Sequence, residues 1–191
     1  QGNADYAFFQ HIIASMKPNS GRSAILFPHG ILFRDQEKDM REKIVSADII
    51  DCIIGLGPNL FYNSSMESCI VICRSKKSAD KRGKILLIKA AEQIRQETNM
   101  SYLDPEHVLA IAEAYNKWED VEGFSRVVGL DEIRGNQSRL SIPLYVETQS
   151  DDGDQRELPE VLGEWLQSSN ELRASMDDLF EMLDEFNDNE E

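Results

Sequence analysis

Apolar positions recur along the first 147 residues with two different periods, and the changes of period mark the elements. Tyr6, Phe9, Ile13 and Met16 fall on one helical face with Phe8 and Ile12 beside them, which predicts a helix from an N-cap at Asn3 to about Lys17. Pro18, Asn19, Ser20 and Gly21 stop it. The short apolar run Arg22 to Phe27 follows, closed by Pro28, His29 and Gly30, and helical spacing resumes from Asp35 to Ala47 through Met40, Ile44 and Val45. Ile49, Ile50, Cys52, Ile53 and Ile54 then form an unbroken run, as in a strand covered on both faces. Strand, helix, strand predicts a βαβ unit, so the sheet is expected to be parallel with this last strand at its centre.

The next run, Ser68 to Cys73, follows a loop of about ten residues. That is too short for a helical crossover, so the strand is expected to return antiparallel beside its predecessor. Lys84 to Lys89 reads as a strand, Ala90 to Gln96 as a short helix, and Phe124 to Leu130 as a further strand. Asp104, Pro105 and Glu106 open a helix running to about Trp118, with Asp as N-cap and Pro at the first helical position. Leu140 to Val146 is expected to be extended, with Pro143 placing it at an edge. The fold class is therefore α/β, with parallel strands, one antiparallel hairpin strand and a C-terminal helical tail.

Beyond the body, residues 148–157 are polar, acidic and glycine-containing, and form the expected linker. In residues 158–191, Leu162, Trp165, Ser169, Leu172, Met176, Leu179, Leu183 and Phe186 repeat at alternating spacings of three and four. This is a heptad seam interrupted once, by Ser169. Such a helix can lie back on its own domain or dock on another subunit, and the spacing leaves both open. Composition sharpens the division. The net charge of −15 is concentrated in residues 148–191, where fifteen acidic residues face Arg156 and Arg173, leaving −2 for residues 1–147. An acidic tail repels nucleic-acid phosphate, so any nucleic-acid contact has to be local to the body.

Candidate chemistry gathers at the loops that leave strand carboxyl ends, where open α/β sheets bind ligands. The loop from Gly55 to Glu67 carries Phe61, Tyr62 and Asn63, and Pro28, His29 and Gly30 close the preceding strand. Arg74, Lys76, Lys77, Lys81, Arg82 and Lys84 form a basic run that reads either as a phosphate contact or as a solvated hairpin tip. Cys52, Cys69 and Cys73 lack metal-ligand spacing and read as buried thiols of a reducing compartment. His11 and His107 have no metal-like partners, and no metal site is expected. No apolar run approaches the ~18 residues of a membrane span, so the expectation is a cytoplasmic protein without a membrane partner.

Six ordered blocks, ADYAFFQHIIASMKP, GRSAILFPHGILFR, MREKIVSADIIDCIIGLGPNLFYN, SCIVICRSKK, GKILLIKA and FSRVVGLDEIRGNQSRLSIPLYV, resemble the methylase subunit of type I restriction-modification systems. The resemblance covers about residues 3–147. It implies the second half of a Rossmann-like methyltransferase sheet, and N6-methylation of adenine in DNA with S-adenosylmethionine as methyl donor. It also implies a second methylase subunit, a specificity subunit and a restriction subunit as partners.

In that family the glycine-rich cofactor loop and the Asn-Pro-Pro-Phe catalytic motif lie upstream of the first block, and neither occurs in these 191 residues. Ser64 to Ser68 also stand where relatives more often carry Thr-Gly and a later Thr. The resemblance thus implies a carboxyl-terminal portion, 1–147, that is inactive alone and binds no cofactor by itself. No catalytic residue is assigned to it. Phe61, Tyr62, Asn63, Pro28, His29 and Gly30 become the target-base candidates. Leu162, Trp165, Leu172, Met176, Leu179, Leu183 and Phe186 become the subunit-contact candidates. The strand Arg22 to Phe27 is expected to present a bare edge open to self-association. A noncatalytic assembly module, or a relative methylating RNA or protein, are the alternatives.

Overall fold

The computed structural model describes residues 4–98, 100–146, 162–163 and 165–176. The chain divides into two units, Gln1–Gln149 and Ser150–Glu191. The first is built on a five-stranded mixed sheet. Its strands are β1 (Arg22–Pro28), β2 (Ile50–Leu56), β3 (Ser68–Arg74), β4 (Lys84–Ala90) and β7 (Ser125–Gly129), in the order β1-β3-β2-β4-β7. The remaining two, β5 (Arg95–Gln96) and β6 (Ser101–Tyr102), form a separate hairpin. Four helices accompany them: α1 (Asp5–Ser15), α2 (Lys38–Ser46), α3 (Pro105–Lys117) and α4 (Leu130–Gly135).

The apolar run of β2 occupies the middle of the sheet, and all seven of its residues are buried. Alternate side chains of the sheet feed two cores. Ile53, Val71, Ile85 and Leu87 pack with residues of α1, α2 and α4 on one face. Cys52, Ile54, Leu86 and Ile88 pack with Ala114 of α3 on the other. As expected, β3 returns antiparallel beside β2. The pairing nevertheless departs from a simple βαβ unit. β3 lies between β1 and β2, antiparallel to both, β4 is the parallel neighbour of β2, and β7 is a second antiparallel strand.

Two segments take other conformations than their residues suggest. Ala90 to Gln96 is not a helix: Ala90 ends β4, residues 91–94 turn, and Arg95 and Gln96 form β5. A Cβ on Gly57 would lie 2.5 Å from the Ala91 carbonyl oxygen and 2.9 Å from Ile94 Cδ1. Residues 91–94 therefore fold over the loop after β2, and a helix there would carry them away. Leu140 to Val146 is not an edge strand. Ile142–Leu144 is a 3-10 turn, with Pro143 in its first positions, where the missing N–H costs nothing. Ile142 and Tyr145 are fully buried, and the gap left by Gly55 admits the Ile142 Cδ1 methyl, 2.7 Å from where a Cβ would stand.

The helix starts follow their local chemistry. The expected N-cap of α1, Asn3, lies outside the described residues, and the helix ends at Ser15 rather than Lys17. α3 opens at Asp104 and Pro105 as expected, and His107 Nδ1 accepts the Asp104 backbone N–H at 3.1 Å. That is a capping role for a histidine that reads as an ordinary surface residue. In the second unit, residues 162–163 and 165–176 are helical. Leu179, Leu183 and Phe186, like residues 147–161, lie outside the described residues.

Candidate functional site

The register brings one set of strand ends together. Pro28 of β1 and Leu56 of β2 both pair with Ser68 of β3, and Leu56 also pairs with Ala90 of β4. The loops after β1, β2 and β4 therefore leave the same end of the sheet. This is where the sequence places Pro28, His29, Gly30, Phe61, Tyr62 and Asn63, and the fold does gather them.

A cleft of about 200 Å³ opens there, lined by Leu26, Phe27, Pro28, Phe61, Ser64, Met66, Glu67 and Ser68. Its walls are mostly apolar, and Phe61 presents 39% of its surface. Beside it the chain turns tightly. The Ser64 N–H donates to the Phe61 carbonyl at 3.1 Å, and Asn63 adopts φ +56°, a left-handed conformation that asparagine tolerates better than most residues. Tyr62 consequently stands at the tip of the turn with 90% of its surface exposed.

The loop after β1 is held more firmly. Tyr6 on α1 donates its hydroxyl to the Ile31 carbonyl at 3.1 Å, and burial pushes that phenol up to about 12. Arg34 donates to Asp5 at 2.9 Å, and its side chain folds over Gly30, where a Cβ would stand 2.6 Å from Nε. Buried Arg41 donates to the Arg34 carbonyl at 2.9 Å and the Ser138 carbonyl at 2.8 Å. Glu37 lies buried beside this knot, its Oε1 3.7 Å from Arg34 Nη1 and neither carboxylate oxygen hydrogen-bonded among the described residues, and burial raises its pKa. Sequence periodicity does not single out Glu37 or Arg41, because their roles depend on contacts with α1 and with residue 138.

The basic run goes elsewhere. Arg74 ends β3 and Lys84 starts β4, at the far end of the sheet from the cleft, roughly 20 Å away at ~3.3 Å per strand residue. Two of its six members turn inward. Lys77 is buried and donates to Asp48 at 2.7 Å and to the Lys84 carbonyl at 2.6 Å. Arg74 donates to Asp51 at 2.8 Å and to the Tyr115 hydroxyl at 2.9 Å. Asp51 reaches both because the β2–β3 register shifts between Ile50 and Cys52. Lys81 lies over the rings of Trp118 and Tyr115 at 4.6 and 5.6 Å. Lys76, Arg82 and Lys84 remain exposed.

Among the described residues no cluster of His, Cys, Asp and Glu could hold a metal ion, and no helix is long and apolar enough to cross a membrane. The strand-end cleft does not fit a whole nucleoside cofactor. Gly30 is covered by Arg34, and the cleft at 200 Å³ falls below the ~300 Å³ at which small-molecule pockets begin.

Comparison with known proteins bears on the same region. Residues 1–154 match the family described as N-6 DNA Methylase. The chain is 38% identical over 148 residues to the type I restriction enzyme MjaVII methylase subunit of Methanocaldococcus jannaschii, covering 75% of this chain and 25% of that protein. It is 30% identical over 193 residues to the HindI methylase subunit of Haemophilus influenzae, covering 92% and 43% respectively. The type I restriction-modification system methyltransferase subunit from Streptococcus thermophilus superposes with a TM-score of 0.71 at 31% identity, over 76% of this chain and 31% of that one. The chain thus spans between a quarter and a half of the curated relatives named here.

Proposed function

The chain belongs to the N-6 DNA methylase family, and from that premise we propose that its first unit forms the target-base side of an adenine N6-methyltransferase of the type I restriction-modification class. One observation carries the reading. An apolar cleft at the carboxyl ends of the strands has Phe61 in its wall, and Tyr62 stands uncovered on the turn beside it. A base acted on by such an enzyme has to leave the duplex and be held by stacking, and a ring without packing partners at a strand-end loop suits that task. Tyr62 is the stacking ring and Phe61 the floor against which the loop rests. Pro28 lines the same cleft, His29 and Gly30 follow it in the loop after β1, and Asn63 permits the turn.

The family reaction uses S-adenosylmethionine, but no binding of the donor is assigned to the strand-end cleft, because that cleft is too small for it. The reading accordingly makes this chain inactive by itself. Phosphate contact, if the basic run supplies any, falls to Lys76, Arg82 and Lys84 and lies remote from the base. As partners we propose DNA, a second methylase subunit, a specificity subunit and a restriction subunit, the set that the resemblance to type I methylase subunits implies.

Tyr62→Ala tests the reading. Stacking on one aromatic ring is typically worth about 1–3 kcal/mol, so affinity for an oligonucleotide with an unpaired 2-aminopurine at an adenine position should fall roughly 5- to 150-fold. Binding and 2-aminopurine fluorescence unchanged by the substitution would sink it.

A second reading rests on the other unit. Along the helical residues 162–163 and 165–176, Leu162, Trp165, Leu166, Leu172 and Met176 are all about half exposed or more. That apolar stripe favours a docking helix, and we propose a specificity subunit as its partner.

A further inference from the structure

We infer that His29 and Glu67 form a latch that positions the aromatic loop over the cleft; the inference rests on the base-site reading and adds to it how the site holds its shape. The loop of residues 57–67 is anchored at its start, where Gly57 packs under Ala91 and the Asn59 carbonyl accepts the Ser101 N–H at 2.8 Å. From residue 60 to residue 66 the hydrogen bonds stay inside the loop, from the Ser64 N–H to the Phe61 carbonyl and from the Met66 N–H to Ser64 Oγ at 3.4 Å. The second anchor is Glu67. Its carbonyl accepts the His29 N–H at 3.1 Å, and its carboxylate Oε2 lies 2.9 Å from His29 Nδ1. The backbone bond continues the antiparallel β1–β3 ladder one rung past Pro28 and Ser68, and the side-chain contact adds a second link between the two loops beside the cleft.

The side-chain half of this contact sets the histidine ring. A carboxylate only accepts, so Nδ1 carries the proton and donates it to Glu67. The other nitrogen, Nε2, is buried and has no hydrogen-bond partner among the described residues, so Glu67 is the polar group there that holds the ring, which also meets Phe33 edge-on at 6.2 Å. Without the Glu67 carboxylate the ring loses that polar partner, and the end of the loop keeps only its backbone bond to His29. His29 and Glu67 are thus positioning residues acting through Phe61 and Tyr62, not groups that touch the base.

Hydrogen exchange on the chain itself separates this from a general stabilising contact. His29→Ala and Glu67→Ala should each speed amide exchange across residues 60–66 about fivefold, through local opening, and the double variant should go no further, as expected for one shared contact. Exchange in β2 and β3 should stay unchanged, and Glu67→Gln, which keeps an acceptor, should restore most of the protection. Unchanged exchange at 60–66, additive single effects, or a rise spread through β2 and β3 would each overturn the latch. None of these readouts needs a base to bind. Failure of the Tyr62→Ala experiment would instead remove the base-site reading and leave the exchange result standing.

Discussion

Cys52, Cys69 and Cys73 are free thiols buried in β2 and β3, and burial pushes all three up, Cys69 and Cys73 to about 12 from an ordinary value near 9. Buried Tyr6 moves the same way, to about 12. A folded pKa raised above the unfolded one favours the folded state fully below the unfolded value. The contribution then fades as pH rises toward the folded value, because the unfolded chain ionises first. Stability should therefore fall from about pH 9 upward, by up to roughly 1.4 kcal/mol per pH unit for each thiol. Melting temperatures between pH 8 and 10.5 check this, and Cys69→Ala should give a shallower slope even with a lower melting point. An equal slope in the variant would place the alkaline sensitivity elsewhere. At this scale the sequence shows residue types well and commitments poorly. The three cysteines read correctly as buried thiols, whereas Arg74 and Lys77 look like members of one basic tip until register sets them against Asp51 and Asp48.

Element boundaries followed local signals where those signals act locally. Pro105 with Asp104, and the unbroken apolar run of β2, place α3 and the central strand from sequence alone. The turn at 91–94 that leads into the β5–β6 hairpin and the turn at 142–144 were not legible, because the contacts that select them, with Gly57 and Gly55, come from residues distant in sequence. The edge strand offers a prediction of its own. β1 pairs with β3 on one side, and no backbone hydrogen bond joins its other side to any described residue. Leu26 on it is 49% exposed. Arg22 and Pro28 blunt only its ends, so the middle is a template for strand addition. Sedimentation velocity should show concentration-dependent self-association of the chain. A monomer at all concentrations, with the amides of residues 23–27 exchanging freely, would contradict it.

For the whole molecule, charge and hydrophobicity are segregated by unit. The segment from 148 onward holds −13 of the −15 net charge, and its helical part shows an exposed apolar stripe. The proposed base site and the proposed docking helix should therefore be separable. Deleting residues 150–191 should abolish capture by an immobilised specificity subunit while leaving oligonucleotide binding intact. Retained capture after the deletion would return the docking role to the first unit.

What the sequence by itself determined is what near neighbours decide: the α/β class, the central buried strand, the antiparallel return after a short loop, the segregation of charge, and the clustering of Pro28, His29, Phe61 and Tyr62 in strand-end loops. Hydrophobic period, proline, capping and loop length act within a dozen residues, so one chain suffices to read them. Tertiary structure alone decided that β3 separates β1 from β2, that the basic run lies at the opposite end of the sheet from the cleft, and that His29 meets Glu67 beside that cleft. These depend on register between segments tens of residues apart. A one-residue shift there would turn each side chain to the other face without changing any local pattern.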